Sequence, residues 1–463
     1  RCCTLQGQKS GFNGVLSIGR VQTPILGLVV RRDIEIENFE PKAYFEVDAH
    51  IQIQAKHFIQ ARWQPSEACE PYQDEEGRVI NHALAENVVK RIEGQPALLN
   101  KLELKPKKQA PPLPYNLSAL QIEAAKQFGF SAKVVLDVCQ SLYEQHKLIT
   151  YPRSDNRYLP KSHFNQAKSV ISAISGLEEL AGFCQNAKPS LKSKAWNDAK
   201  VSAHHAIIPT EKNPSASKLS HVETKIYQLI AKHYLAQFYD AWQFQDTRAD
   251  FTIAGGLFIT KERLTLEKGW KLVFEKEHVL TPAHSALKVL KQGECYLCEK
   301  GELLSKMTQA PKHFTDASLL SAMTGIARFV KDPNIKSILK ETDGLGTEAT
   351  RAGIIELLFK RQFLERHGKL IKATQAGKSF ILALPETITE PDMTAHWENK
   401  LTEISEQTCR YEDFMAPLKE VIHTYINELI TTPLKQISNV KQTPSFKKKR
   451  PRGQTRQRSS QKA

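Results

Sequence analysis

Leu148-Ile149-Thr150-Tyr151-Pro152-Arg153-Ser154-Asp155 sets a phenol oxygen beside a proline, with a guanidinium two residues further on. Proline fixes its own φ and drives the residue before it toward extended backbone. In extended backbone residues i and i+2 share a face, so Tyr151 and Arg153 can aim at one target. The planar fork of donors on arginine suits phosphate oxygens. A tyrosine oxygen attacking a phosphodiester needs such a partner, because charge grows on those oxygens as the bond forms. Alone, a Tyr-Pro-Arg is better read as a surface tyrosine in a proline turn, so the rest of the chain must decide.

Working outward, residues 131–146 read as an amphipathic helix running toward Tyr151, and Leu117–Lys126 as another. Residues 116–235 are helical in pattern throughout. Before them, residues 44–66 alternate as an antiparallel strand with one wet face, and a short helix follows near 82–93. Residues 104–114 are basic and proline-rich and read as a crossing between domains. Strand patterns return over 242–300, for example at Leu257–Thr260 and Trp270–Phe274. This β–α–β order suggests a helical domain carried on a β arch. From 315 the chain is helical again: a helix capped by Thr315, a helix over Glu348–Lys360, then a hairpin over Phe363–Lys372. Two helices and a hairpin wing fit a DNA-binding shape and fit an ordinary structural unit equally well.

Near the start, Ser17-Ile18-Gly19-Arg20-Val21-Gln22-Thr23-Pro24 leads into an apolar helix, with Thr23 as the expected cap and Pro24 at the first helical position. Free N–H groups at such a terminus suit a phosphate, and Gly19 would let a nucleic-acid backbone come close. A capped helix without any ligand is the plain alternative.

The 463 residues suffice for about three or four domains, and 41% are hydrophobic, so sizeable cores can form. The net charge is +15, and ten Lys or Arg with no Asp or Glu lie between Lys435 and Ala463, which leaves +5 for residues 1–434. A polyanion is the natural partner, nucleic acid before an anionic membrane surface, although a disordered solubilising tail has the same composition. Tail contacts with DNA would be salt-sensitive, and deleting 435–463 would then flatten the salt dependence of affinity. Eight cysteines do not make a disulfide scaffold, and the Cys295/Cys298 pair lacks the second pair a zinc site needs. No apolar stretch approaches ~18 residues, so no membrane span is expected. Gly377-Lys378-Ser379 resembles the end of a P-loop, but Lys372 stands where its first glycine belongs, so ATP hydrolysis is not indicated. A phosphotyrosine ester keeps the energy of the broken phosphodiester and can be resealed without nucleotide.

With these residues in view, the chain resembles the type IA DNA topoisomerases, in their bacterial topoisomerase III branch. Five stretches match in order: Leu16–Pro24, Ile149–Asp155, Ala203–Thr210, Phe314–Leu320 and Gly344–Arg351. The resemblance implies an α+β multidomain fold: a toroidal core with a helical base domain, a β arch and a helical tyrosine domain. Residues 1–43 and 301–430 would form the base, with the single-strand groove in its first part. Residues 44–108 and 240–300 would form the arch, 109–239 the domain carrying the tyrosine, and 431–463 a basic disordered tail. Tyr151 would be the nucleophile, forming a 5′-phosphotyrosine link. Arg153 would hold the scissile phosphate, and His204, with His205 turned aside, would sit against it. Arg1, Gln8, Ser17, Ile18, Gly19, Arg20, Val21 and Gln22 would contact DNA. Glu275–Ser285 marks the place of a decatenation loop, or an ordinary loop. The activity implied is ATP-independent relaxation and decatenation on single-stranded and duplex DNA, by a cytoplasmic, nucleoid-associated monomer, with a helicase and a single-strand-binding protein as candidate partners.

One departure from the family pattern stands out. The Asp-x-Asp signature of an N-terminal Toprim domain is not found, and the chain starts at Arg1 in mid-pattern. The Mg²⁺ of the family and its general acid would then be held outside these residues. The expectation is that these 463 residues bind single-stranded DNA but relax supercoils weakly or not at all, which a plasmid relaxation assay with Mg²⁺ checks. A non-catalytic single-stranded DNA clamp is the alternative reading. A tyrosine recombinase or relaxase is a weaker one, since neither an Arg–His–Arg set near a C-terminal tyrosine nor a His triad is evident.

Overall fold

A computed structural model of the chain describes residues 2–54, 57–275, 286–330, 333, 336 and 344–431. Arg1, almost all of the 275–285 loop and the basic segment from 432 onward lie outside the described residues.

Six antiparallel strands form one body: β1 (Ala43–Gln54), β2 (His57–Gln64), β3 (Pro96–Gln109), β4 (Trp242–Ile253), β5 (Gly256–Glu267) and β6 (Cys295–Met307). They pair in the order β1-β2-β5-β4-β3-β6 and close into a barrel, because β6 pairs β1 along its length and the start of β3 with Leu98↔Cys295. The β4–β5 hairpin turns through Ala254 and Gly255 at φ +46 and +81, the left-handed pair that a twisted two-residue hairpin needs. Inward positions alternate small and large residues: Ala49, Ala61, Ala97 and Ala249 beside Phe251, Phe258 and Ile51, all fully buried. Such alternation fills a narrow barrel. Helix α3 (His82–Ile92), capped by the Asn81 side chain on Leu84 N at 3.0 Å, covers the barrel with Ala85 and Ile92.

Between β3 and β4 the chain forms a helical body. Its main helices are α4 (Leu117–Phe128), α5 (Ala132–Glu144), α6 (Ala167–Ile174), α7 (Glu178–Asn186) and α8 (His221–Leu235). Asn116, Ser131 and Ser220 cap α4, α5 and α8, which is why each starts where it does. A third group joins the two ends of the chain: α1 (Cys2–Lys9) and α2 (Gln22–Glu37) from the start, and α9 (Asp316–Thr324), α10 (Glu348–Lys360), α11 (Gln375–Leu382), α12 (Glu386–Thr389), α13 (Pro391–Ser405) and α14 (Tyr411–Thr431) from the end. A three-stranded sheet of β7 (Phe314–Thr315), β9 (Leu370–Ala373) and β8 (Leu364–His367) lies against α2. The helical body and this group share one continuous apolar core, from Cys3 through Leu120 to Ala395, whereas the barrel has its own.

Three local expectations change. Helix α2 begins at Gln22, and Thr23 does not cap it; its hydroxyl instead accepts from Gly19 N at 3.0 Å. Pro24 therefore sits in the third helical position, where its missing N–H still costs nothing. With Pro24 lacking an N–H and Thr23 N bonded to Gly19 O, this terminus offers fewer donors to a phosphate than expected. Residues 104–109 are not a linker but the second half of β3, paired with β4 from Leu104↔Thr247 to Gln109↔Trp242. Pro106 is tolerated because β6 pairs β3 only at residues 96–98, leaving that edge without a ladder to break. Gly269–Val273 is a 3₁₀ turn, so Trp270–Phe274 is not a strand; Trp270 N donates to Asp240 O at 2.9 Å. The P-loop-like Gly377 lies inside α11, where a Cβ would stand 2.3 Å from the carbonyl oxygen of Phe363; it is a packing glycine.

Candidate active site

Helix α5 ends at Glu144, and Lys147 takes the left-handed conformation (φ 56) that lets Leu148 N return to Leu142 O at 2.9 Å. Leu148 and Ile149 are buried, and the backbone there is laced to residues 207–210: Thr150 N donates to Ile208 O at 2.9 Å, and Thr210 N to Leu148 O at 2.9 Å. The Thr150 hydroxyl also accepts from Ile208 N at 3.0 Å. This lacing carries the Ala203–Thr210 stretch across the base of the tyrosine loop.

Tyr151 leaves the anchored segment with 42% of its surface exposed. Pro152 and Ser154 are buried, while Tyr151, Arg153 and Asp155 face outward. The shared face of Tyr151 and Arg153 is thus present, although the backbone at 152–153 is a turn rather than a strand. Arg153 lies over α5, its Nη2 donating to Gln140 Oε1 at 3.2 Å.

The His204 ring stacks on Tyr151, with centroids 5.0 Å apart and planes at 18°, while Tyr143 meets Tyr151 edge-on at 5.9 Å. His204 Nδ1 is 3.7 Å from Asp155 Oδ1. His205 points elsewhere: its Nδ1 lies 2.8 Å from Ala206 O, and its ring meets His163 edge-on at 4.6 Å. Burial holds His163 below its ordinary pKa, and His205 adds to this. The loop is tied from below by α4: Leu117 N donates to Ser154 O, and Asn116 Nδ2 to Asp155 O, each at 3.0 Å.

Residues 17–22 form a second feature. Gln22 Nε2 donates to both the carbonyl and the hydroxyl of Ser17 at 2.8 Å, which folds the segment into a compact turn. Arg361 enters the same turn, donating to Gln22 Oε1 at 3.0 Å and to the Ser17 hydroxyl. Ile18 is exposed, Arg20 pairs with Glu398 at the surface, and Val21 is partly buried. Ser17, Ile18, Gly19 and Arg20 line a cleft of about 360 Å³ together with Trp397 and Tyr425. Gln8 is exposed on α1 and does not line that cleft; Arg1 lies outside the described residues. Helix α10 connects the two features. Glu348 at its start touches Asn116, and Arg361 just past its end reaches Ser17. Thirteen residues span about 20 Å at 1.5 Å per residue.

A family model described as DNA topoisomerase matches residues 1–416. The chain is 54% identical over 441 residues to the DNA topoisomerase 3 of Salmonella typhimurium, covering 95% of this chain and 68% of that protein. It is 53% identical to the DNA topoisomerase 3 of Vibrio cholerae, covering 97% of this chain and 71% of the relative. This chain belongs to the type IA DNA topoisomerases, on the topoisomerase III side. The fold of full-length topoisomerase I from Thermotoga maritima superposes with a TM-score of 0.63 at 21% identity, over 88% of this chain and 63% of that one.

For a type IA topoisomerase, the expected Mg²⁺ raises the question of who would hold it. Among the described residues no three His, Cys, Asp or Glu side chains converge as a cation site requires. No described helix is long and apolar enough to cross a membrane. The sequence reading missed Arg361, Trp397, Tyr425 and Asn116. Arg361 reads as an ordinary cation at a helix C-terminus, and Trp397 and Tyr425 as apolar positions on amphipathic helices. Asp155 was in view inside the tyrosine motif, but nothing in its spacing told that it would face His204.

Proposed function

We infer that this chain carries the strand-breaking machinery of a type IA topoisomerase, with Tyr151 as the nucleophile. The observation that carries this reading is the exposed Tyr151 ring stacked on His204, with Arg153 on the same open face. The Tyr151 oxygen gives up its proton and bonds to phosphorus; the P–O3′ bond breaks and the 3′ oxygen takes up a proton. The 5′ end stays on the enzyme as an ester, and reversal by the 3′-hydroxyl reseals the strand without ATP. Arg153 steadies the charge that grows on the phosphate oxygens, and His204 adds a donor or a positive charge beside them.

Ser17, Ile18, Gly19, Arg20, Val21 and Gln22, with Arg361, form the bed for the single strand, and Trp397 and Tyr425 offer faces on which bases stack. Bound strand would run along α10 from this cleft to the tyrosine. The substrate is single-stranded DNA within duplex DNA, and relaxation and decatenation follow from passing a second segment through the break. A soluble monomer acting at the nucleoid, with Mg²⁺ held beyond the described residues, fits this reading; its helicase and single-strand-binding partners remain candidates.

The test is direct. Labelled single-stranded oligonucleotide is incubated with the chain, with and without an added Toprim domain, and then denatured. A covalent adduct that disappears in Tyr151→Phe supports the reading. No adduct even with the added domain supports a non-catalytic clamp instead.

A further inference from the structure

The start of α10 holds a buried charge pair that the chemistry above does not use. Arg351 is fully buried and Glu348 nearly so, yet neither belongs to the body that carries Tyr151. Arg351 Nη1 donates to Glu348 Oε1 at 2.7 Å and to the Ser118 hydroxyl at 2.8 Å. Arg351 Nε reaches Leu345 O at 3.3 Å. The other carboxylate oxygen of Glu348 accepts from Ser118 N at 2.6 Å, in the first turn of α4. Asn116, the cap of that helix, splits its amide between two jobs. Its Oδ1 accepts from Ala119 N at 2.9 Å. Its Nδ2 donates to Asp155 O at 3.0 Å and lies 3.4 Å from Glu348 Oε1.

These contacts form one continuous path: Arg351 to Glu348, Glu348 to Ser118 N and to the Asn116 amide, Asn116 to the backbone of Asp155, whose side chain faces His204, which stacks on Tyr151. A buried carboxylate between residues some 230 positions apart is costly to desolvate, and it repays that cost only if its geometry is held. Its orientation is fixed by an arginine on its own helix, and its free oxygen is aimed at the start of α4. Such rigidity suits a support whose purpose is placement, since a displacement of about 1 Å at a reacting group can cost ~100-fold in rate.

We propose that the Glu348–Arg351 pair is a positioning device for the reaction. It seats the start of α4, and through Asn116 it fixes the Ser154–Asp155 backbone so that His204 stays stacked on Tyr151. Glu348 and Arg351 act on the site through Asn116 and Asp155. This rests on Tyr151 being the nucleophile.

The experiment uses this chain together with an added Toprim domain. It measures the single-turnover rate of adduct formation on a labelled oligonucleotide, the Kd for the same oligonucleotide, and the melting temperature. Glu348→Gln removes the charge, and Glu348→Asp keeps it. Asn116→Ser retains a cap oxygen for Ala119 N but deletes the donor to Asp155, and it serves should the buried Glu348 variants fail to fold. Glu348→Gln and Asn116→Ser are expected to slow adduct formation about tenfold or more with Kd within about twofold, and Glu348→Asp to recover part of the rate. A purely structural pair would lower the melting temperature and leave the rate of the folded enzyme alone. Unchanged rates in Asn116→Ser and Glu348→Gln, or losses matched by equal losses in Kd, would overturn the inference while leaving Tyr151 in place. An adduct that survives Tyr151→Phe would instead bring down the reading beneath it.

Discussion

At the scale of single residues, Arg153 has one protein partner in the described contacts, the Gln140 amide at 3.2 Å, and an otherwise open guanidinium beside Tyr151. A bond from an exposed guanidinium to a neutral amide oxygen is readily exchanged for the charged oxygens of a phosphate. Arg153→Ala should therefore lower the adduct-forming rate by about 10²–10³, the usual cost of removing one donor to a developing oxyanion, with little change in melting temperature. Quench-flow on a labelled oligonucleotide measures it. Lys147 is a different kind of residue. Its left-handed φ of 56 costs a side chain about 1 kcal/mol, and glycine is free of that penalty. Lys147→Gly should raise stability by ~0.5–1 kcal/mol in urea unfolding, tempered by the greater freedom of glycine in the unfolded chain. Tyr151 and Arg153 were readable because their meaning lies in adjacent identities. Arg361 and Asn116 were not, because each gains its role from a partner far away in sequence.

At the scale of elements, α8 carries a titratable group at each end. Burial acts to raise the Glu223 carboxyl, but hydrogen bonds from Ser141 and from Ser220, with His146 nearby, outweigh it and take the group down to about 2. Ser141 Oγ donates to Glu223 at 2.6 Å, and Ser220 N at 2.8 Å. At the other end, burial lowers His233 to about 4 against the bond it makes to Leu113 O, with Arg157 adding to the fall. Both groups bind protons more readily in the unfolded chain. Stability held by His233 is complete above pH ~6.5 and is lost as pH falls toward 4; that held by Glu223 is complete above ~4.5 and is lost toward 2. An acid titration followed by circular dichroism should show the first decline flattened in His233→Phe and the second reduced in Ser141→Ala. Helices α4 and α5 were legible from their apolar periodicity, and so was the hairpin of β8 and β9. The strand at 104–109 was not: its basic residues and Pro106 look like a linker, and only the pairing with β4 makes them a strand.

At the scale of the molecule, the barrel encloses its own apolar cluster, whereas the tyrosine-bearing helices and the groove-bearing helices share another. Separate cores unfold as separate cooperative units when little apolar surface joins them. Phe258 is fully buried in the barrel, and Phe258→Ala should cost about 3–5 kcal/mol there. Calorimetry should then show one of two transitions moved down while the transition of the tyrosine-bearing core stays put; a single transition shifted as a whole would contradict this independence.

What the amino-acid order settled unaided was the chemistry and the local elements. A nucleophile, a phosphate-binding arginine, a paired histidine and a glycine-bearing turn stand in ordered motifs, and helix caps, turns and alternation act over a few residues. What only the packed chain decided was which groups meet. His204 comes to lie on Tyr151, Arg361 in the Ser17 turn, Glu348 under α4, and β6 against β1, all across spacings that no periodicity records. The reason is physical: such meetings follow from how whole faces bury against one another, and a one-dimensional pattern shows which faces are apolar but not which partner each will choose.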